Sequence, residues 1–170
     1  MNNRHTQLLV VLTVAGAMAL AGCAGARAAR GKSGGPITLE VAFDRNPQGR
    51  NPEQVDQLVD WMEPDLHHVL EGTGYVVVPL RDPAAFRPGP DRYLVVVHIL
   101  NYNAGSKAAR MFVGMGAGAL TLDTRNELYS APGQLVFSSD GAVGSSRDWR
   151  NAARKINEQI ARDFTNALSR

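Results

Sequence analysis

Residues Arg92 to Asn103 read RYLVVVHILNYN, and the run LVVVHIL inside them, Leu94 to Leu100, is almost uninterrupted apolar sequence. A segment this short and this rich in valine suits a strand buried on both faces at the centre of a sheet. Downstream, Leu120, Leu122 and Leu128 share one parity, opposite to Thr121, Asp123, Arg125 and Glu127, so Ala119 to Tyr129 predicts a strand with one wet face. Ser130 to Gly133 (SAPG) predicts a hairpin turn, and Gln134 to Ser139 runs back from it. Asp140 to Ser146 (DGAVGSS) reads as an irregular continuation. Upstream, Tyr75 to Leu80 (YVVVPL) is a short strand whose Pro79 argues for a sheet edge or a strand end. Arg81 to Asp91, with three prolines, reads as a loop. Further back, Ile37, Leu39, Val41 and Phe43 alternate with Thr38, Glu40 and Ala42 as a first strand, and Asp44 to Arg50 follows as a polar loop.

Two helices complete the pattern. Asn51-Pro52-Glu53-Gln54 is a helix start, with Asn51 as N-cap and Pro52 at the first helical position. Val55, Leu58, Val59, Met62, Leu66, Val69 and Leu70 then fall on one face, and Gly72 and Gly74 end the helix. Pro64 lies inside it and is expected to kink or split it near Met62 and Glu63. At the other end of the chain Trp149, Ala152, Ala153, Ile156, Ile160, Phe164, Ala167 and Leu168 form a second stripe, with Ser145 or Ser146 as cap. The first helix carries Glu53, Asp56, Asp60, Glu63, Asp65 and Glu71 without a lysine or arginine, whereas the second is rich in arginine, so the two are expected to attract. The order β-α-β-β-β-β-α, with a single apolar stripe on each helix, predicts an α/β two-layer sandwich. Its mixed five-stranded sheet has a parallel first crossover and both helices on one face.

The N-terminus is a secretion signal in three parts. Asn2-Asn3-Arg4-His5 is polar and positively charged, Leu8 to Leu20 is an apolar core, and Leu20-Ala21-Gly22 leads to Cys23, the only cysteine. This spacing resembles the bacterial lipobox, which implies cleavage after residue 22 and acylation of the Cys23 sulfur. The domains expected are therefore a signal peptide over 1–22, a lipidated cysteine with a flexible tether over 23–36, and one α/β domain over 37–170. The same apolar stretch is a poor spanning helix, because its second half is mostly alanine and glycine. Two acyl chains anchor stably where one does not. Ala24 follows the cysteine where an acidic residue signals inner-membrane retention, so the outer membrane, on its periplasmic face, is favoured over the inner membrane. Arg27, Arg30 and Lys32 in the tether suit contact with anionic head groups. The 18 basic and 16 acidic residues of the whole chain give no reason to expect a nucleic-acid partner.

Catalytic chemistry is hard to find. His67 and His68 point about 100° apart on a helix, so they cannot share an ion easily, and a solvated helix face with no metal is expected there. His98, in the buried-type strand, reads as a hydrogen-bonded core histidine. No serine sits in a strand-to-helix G-x-S-x-G turn. No catalytic residue, cofactor or metal is expected. Gly105 to Gly118, GSKAARMFVGMGAG, is unusual. A phosphate loop would open a helix, whereas this run opens a strand, so its alternating glycines suit close backbone approach or a bulge. Arg110 and Phe112 with Gly114, Gly116 and Gly118 also make it a candidate interaction segment.

This stretch, through Gly105, Ser106, Arg110, Gly114, Gly116 and Gly118, resembles the bacterial envelope lipoproteins catalogued as domain of unknown function 4410. In layout the resemblance extends over Ile37 to Leu168; its specific part is those fourteen residues, and Pro132-Gly133 departs from the Asp-Gly or Asn-Gly turn expected. It implies a fold and a compartment and brings no assigned activity. The expectation is thus a non-enzymatic, membrane-anchored envelope protein that binds an unidentified envelope partner. The alternative is a self-assembling or pore-associated subunit joined through 110–118. An envelope hydrolase stands third, because it needs a pocket with convergent polar groups near His98, His67 or Arg110.

Overall fold

The computed structural model describes residues 29–45, 52–105, 120–145 and 148–170. In chain order the elements are β1 (Thr38–Asp44), α1 (Pro52–Gly72), β2 (Val76–Pro79), a 3-10 turn (Pro83–Ala85), β3 (Arg92–Asn103), β4 (Leu120–Ala131), β5 (Gln134–Ser145) and α2 (Trp149–Leu168). They form one five-stranded sheet in the order β2-β1-β3-β4-β5. β1 pairs in parallel with β2 and β3, and β3-β4-β5 is an antiparallel meander. The apolar run that anchors the reading, β3, lies at the centre, with Leu94 to Val97 buried on both faces. Proline-ended β2 lies at the edge, where a missing N–H costs no ladder bond.

Alternation sorts the side chains into two layers. Leu39, Val41, Val95, Val97, Leu122 and Leu128 face both helices and meet Leu58, Met62 and Leu66 of α1 and Ile156, Ile160 and Phe164 of α2. Phe137 packs edge-on against Phe164 at 6.1 Å. Among the described residues the other face is covered only in part. There the loop from β2 to β3 crosses back over β1 and sets Phe86 against Ala42, Leu94 and Val96 in a second, smaller cluster. The two-layer sandwich with two helices on one face is present as expected, and this crossing loop adds partial cover to the opposite face.

Several local expectations are corrected. α1 runs unbroken through Pro64. Met62, Leu66 and Leu70 are each fully buried around the proline, and Asn157 of α2 donates to the Met62 carbonyl at 3.0 Å. Packing thus holds the turn that proline weakens. α2 is capped by Asp148, whose carboxylate accepts from Arg150 N–H at 3.2 Å, rather than by a serine. β5 stays regular to Ser145, because β4 supplies a partner along its whole length. Among the described residues the expected attraction between the helices reduces to one ion pair, Arg154 to Asp65. The acidic middle of α1 is met instead by Arg45, 2.8 Å from Asp60 and 3.5 Å from Glu63. The segment 29–36, expected to be part of a flexible tether, is folded against the domain over these described residues. Ala29 N–H donates to the Gly74 carbonyl at 2.8 Å, and Arg30 bridges to Pro36.

Candidate functional site

On the open face of the sheet, register brings together residues that lie far apart in sequence. Asp44 at the end of β1 pairs directly with His98 on β3. Glu127 on β4 pairs with Val96 and so lies diagonally beside His98, while Tyr129 pairs with Leu94. His98 Nδ1 is 3.0 Å from Asp44 Oδ2, and Nε2 is 3.1 Å from Glu127 Oε2. The Tyr129 hydroxyl donates to that same Glu127 oxygen at 2.5 Å. Each imidazole nitrogen thus faces one carboxylate oxygen. The hydrogen bond to Glu127, then burial, then the charge on Glu127 push the Tyr129 phenol up to about 12.

This cluster floors a groove of about 1330 Å³ between the β2–β3 loop and the β4–β5 hairpin. Its apolar walls come from Phe43, Leu80, Leu94, Val96 and prolines 79, 83 and 132, and its charged rim from Arg45, Glu63 and Arg81. Arg81 is exposed and forms no ion pair among the described residues. The mixture of an apolar trough with a few convergent polar groups is the composition of a ligand site. Both nitrogens of His98 and the Tyr129 hydroxyl are spent inside the cluster. Among the described residues no serine, threonine, cysteine or lysine lines the groove.

His98 is hydrogen-bonded, as the sequence suggested, but it is half-buried on the open face rather than part of the core beneath the helices. Its partners were missed. Asp44 reads as loop, and Glu127 reads as one more wet position of an alternating strand. Parity puts 94, 96 and 98 on one face; only register puts Asp44 and Glu127 beside them. His68 is exposed, whereas His67 is half-buried and its imidazole is pushed below the usual range, chiefly by burial, with Glu63 and Glu71 opposing. Among the described residues no group of three or more His, Cys, Asp or Glu could hold a metal, and no helix is long and apolar enough to cross a membrane. Cys23 and the candidate interaction residues Arg110, Phe112, Gly114, Gly116 and Gly118 lie outside the described residues. The residues flanking that segment, Gly105 and Leu120, stand at the end of the sheet opposite the start of β1.

Fold and groove together define a small α/β sandwich domain with one open, partly roofed sheet face. The chain belongs to the family described as Domain of unknown function (DUF4410), whose pattern matches residues 43–145. No match appears among curated proteins. Among solved structures, the PelC dodecamer from Paraburkholderia phytofirmans is similar at 13% identity, covering 80% of this chain and 90% of that one, with a TM-score of 0.49. A neuraminyllactose-binding hemagglutinin homologue from Helicobacter pylori is similar at 13% identity, covering 82% and 86%, with a TM-score of 0.37. These likenesses are too distant to carry a function across.

Proposed function

We propose that the protein is a non-enzymatic lipoprotein of the Gram-negative cell envelope. A lipid on Cys23 holds it to the periplasmic face of the outer membrane, and its domain binds another envelope component in the open-face groove. The observation that carries the binding reading is the Asp44–His98–Glu127–Tyr129 cluster beneath an apolar trough. Both His98 nitrogens and the Tyr129 hydroxyl are engaged by carboxylates within it, which favours recognition of a shape over proton transfer to a substrate. The lipobox supports the anchor. A photo-crosslinking side chain at Arg81, in intact cells, should yield one discrete adduct that the same probe at exposed Gln57 on α1 does not. Monomer alone from groove positions, under several chemistries, would overturn the binding reading. Cys23→Ser should release the protein from the membrane fraction; unchanged fractionation would overturn the anchor.

A second reading, self-assembly, is favoured by β5. It is a twelve-residue strand at the sheet edge, with Leu135 50% and Val136 46% exposed and no proline or lysine to discourage pairing. It predicts a larger particle after detergent extraction, and monomeric elution at high concentration would sink it.

A further inference from the structure

We propose that residues 29–36 are a folded clasp that holds one end of the domain against an anionic lipid surface, an inference that rests on the Cys23 anchor proposed above. Its bonds are made to two separate loops of the domain. Ala29 N–H donates to the Gly74 carbonyl at 2.8 Å, and Ile37 N–H donates back to the Ala29 carbonyl at 3.1 Å. Between them, Gly31 N–H reaches the Gly35 carbonyl and Gly34 N–H the Gly31 carbonyl, each at 2.9 Å. Ser33 is captured by Asp91, whose Oδ2 accepts from the Ser33 N–H at 3.1 Å and also from its hydroxyl. Asp91 is, among the described residues, the one non-glycine with positive φ, at 53°, a conformation aspartate adopts more readily than most residues. Its carbonyl meanwhile accepts from Thr38 N–H at 2.9 Å, so one residue ties clasp, loop and β1 together. A Cβ on Gly31 would fall 1.9 Å from the Asp91 carboxyl carbon, which explains the glycine.

The clasp shortens the leash. Six residue steps separate Cys23 from Ala29, at most about 20 Å of extended chain, whereas a slack tether to Ile37 would reach roughly 50 Å. The end held close contains the starts of β1, β2 and β3 and the last turn of α2, which Tyr75 joins through a 3.3 Å bond to Thr165. Arg30 and Lys32 on the clasp, with Arg162 on α2 and Arg170 just beyond it, are exposed there and form no ion pair among the described residues. Three carboxylates, Glu71, Asp91 and Asp163, stand against them at this end, since the bonds from Ser33 leave the Asp91 charge in place. The excess among these described groups is one positive charge, and each basic group close to an anionic bilayer shifts association about fivefold. The opposite end, with Gly105 and Leu120, is then held roughly 35–40 Å further out, the length of β3.

The test uses the full lipidated chain in vesicles of phosphatidylcholine, with or without phosphatidylglycerol, carrying an acceptor dye at the head groups. A donor is placed on α2 at Asn166→Cys near the clasped end or at Asn151→Cys, about 22 Å along the helix. Energy transfer should be clearly stronger from position 166, and the difference should grow with anionic lipid. Arg30→Ala with Lys32→Ala should abolish that growth. Asp91→Ala, and the milder Ser33→Ala, should make the two positions converge as the leash lengthens. Equal transfer from both positions in vesicle-bound wild-type protein, or a difference indifferent to Ser33→Ala and Asp91→Ala, would overturn the clasp alone. Failure of the protein to join vesicles at all would overturn the anchor and the clasp with it.

Discussion

Replacing Glu127 by glutamine tests whether the groove floor is the hydrogen-bonded network on which the binding reading rests. In the wild-type protein the Tyr129 hydroxyl sits 2.5 Å from Glu127 Oε2, and its ionisation is pushed from an ordinary 10 up to about 12. Two of the three causes, the hydrogen bond and the negative charge, belong to Glu127, and only burial is independent of it. Glu127→Gln removes the charge and turns a strong anionic acceptor into a neutral one, so the phenol should titrate most of the way back towards 10. The effect is large where it is measured. At pH 11 a phenol of pKa 12 is about one-tenth ionised and one of pKa 10 about nine-tenths. Tyr75 and Tyr102 are also raised, chiefly by burial, so bulk absorbance would blur the answer. Carbon-13 labelling of the tyrosine rings, read by NMR from pH 9 to 12, separates them. A Tyr129 titration that stays put in Glu127→Gln would show that the phenol is not bonded to that carboxylate and would dissolve the network argument.

Three further outcomes follow from the packing. Gly141→Ala would set a Cβ 2.7 Å from Thr124 Oγ1 and 2.9 Å from Ile156 Cδ1, so overpacking should cost about 1–3 kcal/mol and lower Tm by a few degrees per kcal/mol; an unchanged Tm would refute the close approach of β5 to α2. Asn157→Leu loses the bonds to the Met62 carbonyl at 3.0 Å and Asp65 Oδ2 at 2.8 Å while relieving an unpartnered buried oxygen. The net loss should be about 2 kcal/mol in urea unfolding, and a gain in stability would refute the bridging role. His67 binds its proton more weakly in the folded domain than in the unfolded chain, because burial depresses it below 6.5. Its stabilising contribution is therefore complete above pH 6.5 and is lost as pH falls through 6.5 towards the depressed value. Urea midpoints at pH 5 and 7.5 should differ less in His67→Gln than in wild type, and an equal difference in both proteins would count against it.

Much of the architecture is legible in one dimension because periodicity is local. The valine run of β3, the alternation of β4 and the proline of β2 each report how many faces of a strand are buried, and from that their places in the sheet follow. Helix stripes are equally local, and apart from Ala167 the residues named for α1 and α2 lie in or against the core, where Trp61 and Ala161 join them. Where local reading slipped, a distant contact intervened. Pro64, itself exposed, does not split α1 because Met62 and Leu66 beside it are buried against the sheet and α2, and residues 140–145 become strand because β4 runs alongside.

The candidate site shows the same division more sharply. Sequence alone determined the two-layer sandwich and the strand that holds His98, since each depends on residues within a few positions of one another. Tertiary structure alone decided that His98 faces the open side between Asp44 and Glu127, 54 and 29 residues away. It also decided that the supposed spacer is pinned by Asp91, 58 residues from Ser33. Strand register and loop docking are choices among many pairings of similar local propensity, settled by which one buries the most apolar surface with the fewest unpaired polar groups. No local pattern encodes that sum.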